Sequence, residues 1–210
     1  MNPWPVEIPR WTGKSPKPRA PSFWKKGYRG ASLRQIAERA GATVGAIQIR
    51  YKTKDALFCG LLEPLLSEIE GVFQATKAEY WQYPPGERLA FIEKSMQMES
   101  DAILSLIFDH YDDAVLLLCR SEGSRLAGCF DQIVARKGAE SAAFFSAPDA
   151  APFDRELLSL LIGAQLYSYR QIVRSGCEKN AAKRAMRALM RYHMGGWTAL
   201  LNTTREDEHP

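Results

Sequence analysis

The stretch Gly27–Phe58, GYRGASLRQIAERAGATVGAIQIRYKTKDALF, decides how the rest of the chain is read. Ser32 stands where a helix N-cap belongs, ahead of the helical run LRQIAERA, because a serine oxygen can accept from the open N–H groups of a first turn. Gly41 follows that run as a C′ glycine, free to take a positive φ. Val44 to Tyr51 forms the next helix, and Thr53 caps a longer one that starts at Lys54. Ala37 lies on the inner face of the first of these helices, and Ile36, Val44 and Ile47 supply apolar contacts between the two. Helices that cross near a right angle need a residue without bulk at the crossing and a permissive turn, and Ala37 and Gly41 meet both needs. The spacing is that of a helix-turn-helix, whose second helix enters the DNA major groove.

Working outward, the helix from Lys54 carries Leu57, Leu61, Leu65, Ile69 and Phe73 on one stripe, with Pro64 inside it predicting a kink or a later start. The turn YPPGE at 83–87 closes this part of the chain. Further helices are predicted at about 87–98, 100–107, 110–120, 122–145, 153–175 and 178–202, and no alternating apolar/polar run of strand length occurs. The fold class is therefore all-α. Upstream, six of the twelve prolines fall within the first 21 residues, so residues 1–22 read as an extended or disordered arm, basic through Lys14, Lys17 and Arg19. The expected organisation is that arm, a helix-turn-helix domain over 23–75, a helical effector-binding and dimerisation domain over 76–204, and a short tail over 205–210.

Composition agrees with a globular chain. Of 210 residues 46% are hydrophobic and 25% charged. The longest unbroken apolar run, Ala114 to Cys119, is far short of the ~18 residues a spanning helix needs. With no secretory pattern at the N-terminus and four scattered cysteines lacking any CxxC pair, a cytoplasmic chain with reduced thiols is expected. The charge is uneven: residues 1–60 hold 12 Lys and Arg against 3 Asp and Glu, whereas the remainder is mildly acidic. A basic module joined to a larger acidic body suits a polyanion-binding protein.

The same stretch resembles the N-terminal DNA-binding domain of the TetR family of transcriptional regulators. The matching residues are Gly27-Tyr28, Ser32, Ile36-Ala37, Gly41, Val44 to Ile47, and Tyr51-x-Thr53-Lys54-Asp55-x-Leu57. The resemblance implies that Ser32, Thr43, Gly45, Ala46, Gln48, Arg50 and Lys54 face DNA, with Tyr28 near a phosphate. Their chemistry agrees: Gln48 can bond adenine bidentately, Thr43 and Ala46 suit base edges and thymine methyls, and Arg50 and Lys54 can neutralise phosphates. It further implies an all-helical C-terminal domain that binds a small ligand and dimerises through its last two helices, giving a ligand-responsive repressor on a palindromic operator.

Two departures from the family pattern bear on function. Gln48 and Ile49 replace aromatic residues in the recognition helix, and the first helix of the family would have to run through Pro16, Pro18 and Pro21. Two readings follow: the basic arm, with Lys25 and Lys26, compensates on phosphates or in a minor groove, or the start or reading frame upstream of Phe23 is altered and DNA binding suffers. The alternative function is a dimeric helical ligand-sensing or interaction protein whose degraded helix one has cost it DNA binding.

In the later part, Trp81, Phe91, Met96, Phe108, Tyr111, Phe130 and Tyr167 are candidates to line an effector pocket. Two helical stripes are candidates for the dimer interface: Leu157, Leu161 and Ala164 on one helix, and Met186, Leu189, Met190, His193 and Trp197 on the next. The acidic run Asp109, His110, Asp112, Asp113 cannot converge on one helix face, so no metal is expected there. No GxSxG, HExxH, Walker or GxGxxG pattern occurs, so no enzyme and no cofactor are expected.

Overall fold

The computed structural model describes residues 21–84, 87–145 and 155–206. All of the regular structure among them is helical: α1 (Pro21–Gly30), α2 (Leu33–Arg39), α3 (Val44–Tyr51), α4 (Lys54–Tyr80), α5 (Arg88–Asp109), α6 (Tyr111–Cys119), α7 (Cys129–Phe145), α8 (Arg155–Ser175) and α9 (Lys179–Glu206). None of the helices searched is long and apolar enough to cross a membrane. The expected basic arm lies outside the described residues except for Pro21 and Ser22, and the expected tail except for Arg205 and Glu206.

Helix one is present in a short, atypical form that begins at Pro21; Pro16 and Pro18 lie outside the described residues. Pro21 occupies its first position, where a missing N–H is harmless because first-turn donors have no intrahelical acceptor. Gly27, at φ 68° and ψ −178°, breaks α1 into two segments, and Phe23 on the first is completely buried. Ile36 and Leu57, which a degraded helix one would leave short of packing partners, are buried to 0% and 1% exposure, and Val44 is half-buried. The supplement comes from elsewhere in the chain: α6 packs against α1.

The helices fall into two compact units. The first joins the described residues up to Glu70 with residues 106–130, so the segment containing α6, grouped in the sequence reading with the later helices, packs with the helix-turn-helix. Its core holds Phe23, Ile36, Phe58, Leu62 and Leu116, all fully buried. The second unit takes Gly71–Ser105 and the chain from Asp131 onward. Within it Leu158 and Trp197 pack together, with Met96, Leu161 and Ile162 against them.

Several element boundaries differ from expectation for local reasons. The stripe Leu57, Leu61, Leu65, Ile69 and Phe73 is buried as predicted, and α4 continues from Lys54 to Tyr80 with Pro64 inside it. The helices predicted at 87–98 and 100–107 are one, α5, with Ser100 buried in its middle. The helix predicted from 122 begins at Cys129. Serines explain the delay, because Ser124 Oγ donates to the Ser121 carbonyl at 2.6 Å and accepts from Leu126 N at 3.1 Å, holding a turn where a helix would otherwise start.

Candidate nucleic-acid interface

The turn before α3 is closed by the backbone. Ala42 N donates to Ala37 O at 2.9 Å, and Gly41 takes φ 62°, a conformation cheap only for glycine. Thr43 then caps α3, its Oγ1 accepting from Ala46 N at 3.1 Å. Ser32 does the same for α2, accepting from Gln35 N at 3.3 Å. At the far end Lys52, at φ 48°, donates its N–H to Gln48 O and ends the helix, and Thr53 Oγ1 accepts from Ala56 N to start α4. Two side-chain caps thus fix where α3 and α4 begin, each worth about 1 kcal/mol.

The orientation of α3 follows from its apolar residues. Tyr51 is buried and Val44 and Ile47 are half-buried, whereas Thr43, Gly45, Ala46, Gln48, Ile49 and Arg50 are all exposed. At about 100° per residue, Ile49 lies nearly opposite the inward face, Gly45 and Ala46 flank it at about 50° to either side, and Gln48 and Arg50 lie round the two flanks. Ile49 was absent from the expected DNA contacts, yet it is 87% exposed, the most exposed of the large apolar side chains described. The signal available in the sequence was its register: Val44, Ile47 and Tyr51 occupy the inward positions, leaving Ile49 out of phase.

Two expected contacts sit elsewhere. Lys54 Nζ donates to the carbonyls of Tyr28 at 3.0 Å and Ala31 at 3.1 Å, and lies 4.2 Å from the centre of the Tyr28 ring. Its charge therefore serves the open carbonyls at the end of α1. The Tyr28 ring lies parallel to Phe23 and edge-on to Phe58, and burial, reinforced by Asp55, pushes its phenol above the ordinary value. Tyr28 and Lys54 knit α1 to α4 and stand apart from the exposed face of α3.

The turn after α6 completes this corner. Arg120 donates from its guanidinium to Trp24 O and accepts at its own carbonyl from Tyr28 N at 3.0 Å. Arg125 donates its backbone N–H to Asp55 Oδ1 at 2.9 Å and its Nε to Asp55 Oδ2. Arg29 and Glu122 pair at 3.1 Å on the surface. Gly27 is required here, since a Cβ would sit 3.3 Å from both Cβ and O of Arg120. Beside Asp55, the buried Cys59 thiol is pushed up to about 11, first by burial and then by the carboxylate.

The remaining candidates are dispersed. In the second unit, Phe91 is buried against Tyr80 and stacks on Tyr83, and Trp81 meets Tyr80 edge-on. Met96 joins the Leu158–Trp197 cluster, and Tyr167 donates its hydroxyl to Asp131 at 2.6 Å. In the first unit, Phe108 stacks on Tyr111 and Phe130 is buried. None of these seven lines the cavity of about 860 Å³ between α5 and α9, whose walls include Lys94, Gln97, Met190, Arg191 and Met194.

The dimer stripe on α9 is corrected in part. Met186, Met190 and Trp197 are at most 7% exposed because they fill the core of their own unit, while Leu189 and His193 are half-buried. On α8, Leu157 and Ala164 are exposed and Leu161 is half-buried. Leu160, which falls on the expected α8 stripe, and Tyr192, which the sequence reading passed over, are also exposed. No group of three or more His, Cys, Asp or Glu among the described residues could hold a metal ion; His110 of the acidic run lies 3.4 Å from Glu68.

A capped helix pair joined by a tight turn, with its second helix exposed, is the arrangement of a DNA-binding helix-turn-helix. Residues 21–59 match the family described as bacterial regulatory proteins, tetR family. Among solved structures, a TetR-like transcriptional regulator from Rhodococcus sp. RHA1 shares the fold at a TM-score of 0.57, with 18% identity over 84% of this chain and 91% of that one. No curated protein matches the chain. Residues 21–59 are thus similar to the DNA-binding domain of that family, and the chain as a whole shares the fold of a TetR-like regulator.

Proposed function

We propose that this regulator reads a palindromic operator as a homodimer, represses from it, and leaves it when a small molecule binds its helical C-terminal part. The observation that carries the reading is the outer side of α3: a helix fixed at both ends by caps, exposed along Gly45, Ala46, Gln48, Ile49 and Arg50, in a domain whose residues 21–59 hold eight Lys and Arg against two acids. Small residues let the helix sit deep in a major groove, and the surrounding cations favour the phosphates. The competing reading, an interaction protein whose degraded helix one has cost it DNA binding, predicts weak and unselective DNA affinity; against it stands α1, short and broken at Gly27, which still buries Phe23.

Dimerisation is supported by apolar surface on the last two helices. On α8 the exposed Leu157, Leu160, Ala164 and Tyr167 follow helical spacing, and on α9 the exposed Ala185, Ala188 and Tyr192 do the same. A two-fold helix-turn-helix dimer reads two half-sites about 34 Å apart, one turn of DNA. The open cavity between α5 and α9 has room for a small organic effector, typical sites being about 300–1,000 Å³. An effector binding preferentially to a conformation with the wrong spacing would release the operator.

The test is fluorescence anisotropy of the full chain against the duplex upstream of its own gene and a scrambled duplex at two salt concentrations, with sedimentation alongside. Selective binding that weakens with salt, by a dimer, is the expected result. Equal affinity for both duplexes, or a monomer at micromolar concentration, refutes the proposal.

A further inference from the structure

We infer that Ile49 is the side chain through which this regulator recognises thymine, by packing against the 5-methyl group on the floor of the major groove. The inference deepens the proposed operator reading and rests on it. Its starting point is a contradiction in the surface of α3. Isoleucine is a residue that ordinarily seeks burial, yet here it is 87% exposed and points almost directly away from the domain. Nothing in the core needs it in that position, since Val44, Ile47 and Tyr51 already fill the inward side of the helix.

The neighbours of Ile49 show what kind of surface can approach it. Gly45 precedes it by one turn, and a Cβ built there would meet only Thr43 Oγ1, at 3.9 Å. Ala46 on the other side offers a single methyl group. The outer ridge of α3 is therefore one branched apolar side chain rising between two small residues, with Gln48 and Arg50 set back on the flanks. That profile suits a narrow concave partner into which the helix can sink.

In a major groove the base edges present hydrogen-bond donors and acceptors, which an isoleucine cannot satisfy, and one apolar group, the thymine methyl. A β-branched chain has a restricted χ1, so Ile49 presents its methyl groups in a defined direction and loses little freedom on contact. Gln48 and Arg50, lying to the sides, are placed for outer base edges and phosphates. This moves thymine recognition to Ile49 from Thr43 and Ala46, the residues whose chemistry alone suggested it.

The experiment is a double comparison on DNA chosen by the protein. Full-length chain selects duplexes from a randomised pool, and each thymine of the selected sequence is then replaced in turn by deoxyuridine, which removes only the methyl group. For the unaltered protein one thymine per half-site is expected to be sensitive, its replacement weakening binding about fourfold, as the loss of one buried methyl predicts. Ile49→Ala is expected to bind the thymine duplex more weakly and to be indifferent, within twofold, to deoxyuridine at that position; circular dichroism confirms that the variant is folded. Ile49→Val should retain part of the discrimination. Selection of a sequence whose thymines are all insensitive overturns the inference and leaves the operator reading standing, as does sensitivity that persists in Ile49→Ala. A pool that yields no preferred sequence overturns both.

Discussion

Arg50 and Lys54 lie four residues apart, both basic and both expected on DNA, and they end in surroundings of opposite kind. Arg50 stands on the exposed outer part of α3. Lys54 is turned inward onto two carbonyls and a tyrosine ring. The same contrast runs through the first unit: the ridge of α3 offers side chains outward, whereas Lys54, Asp55, Arg120 and Arg125 spend theirs within the corner, on backbone carbonyls and on one another. The corner holds the helix-turn-helix in shape, and the ridge is left for a partner. A charged residue type marks neither; what distinguishes them is where the group finds its hydrogen bonds.

Substitutions should separate the two regions cleanly. The largest effect is expected for Phe23→Ala, which empties a completely buried ring site between Tyr28 and Phe58 and should cost about 3–5 kcal/mol of unfolding free energy in urea denaturation. A cost under about 1 kcal/mol would mean that α1 does not anchor the corner. Gly27→Ala comes next, at about 1–3 kcal/mol, because an L-residue is strained at φ 68° and its Cβ would press on Arg120.

Asp55→Ala removes the acceptor of two Arg125 donors and should cost about 1–2 kcal/mol. It has a second readout. In the native protein the exposed Cys119 should react with a thiol reagent well before Cys59, whose thiol is buried and held near 11. Loosening the corner through Asp55→Ala should speed labelling of Cys59 while leaving Cys119 alone; unchanged Cys59 kinetics would show that Asp55 does not keep the corner shut. The smallest effects on stability belong to the ridge, where Gln48→Ala and Ile49→Ala should each stay within about 0.5 kcal/mol in thermal unfolding. In binding, Arg50→Ala should weaken all sequences alike and Gln48→Ala should relax the preference at one base position. A ridge variant that unfolds the domain would erase the distinction.

Much of this architecture could be read directly from residue order. The caps Ser32, Thr43 and Thr53, the turn at Gly41 and the stripe from Leu57 to Phe73 are local features, decided within one or two helical turns, and each appears where the sequence places it. Apart from local boundary shifts such as the serine turn that delays α7, the misreadings are non-local. Proline at a first helical position is tolerated, so α1 survives, but its burial depends on α6 about ninety residues later. An apolar stripe on a helix specifies a buried face without specifying the partner, and so Met186, Met190 and Trp197 looked like a dimer surface until the core of their own unit claimed them. Aromatic residues chosen by type alone were likewise divided between two compact units.

What the sequence by itself determined is the set of helices, the helix-turn-helix within them and the direction in which α3 faces, because hydrophobic periodicity and capping act over a few residues. The tertiary structure alone decided that Lys54 and Tyr28 are internal and that the turn from Arg120 to Arg125 braces the helix-turn-helix. These outcomes depend on which carbonyls, rings and carboxylates come within about 3–4 Å after the chain has folded, the range over which hydrogen bonds and close packing act.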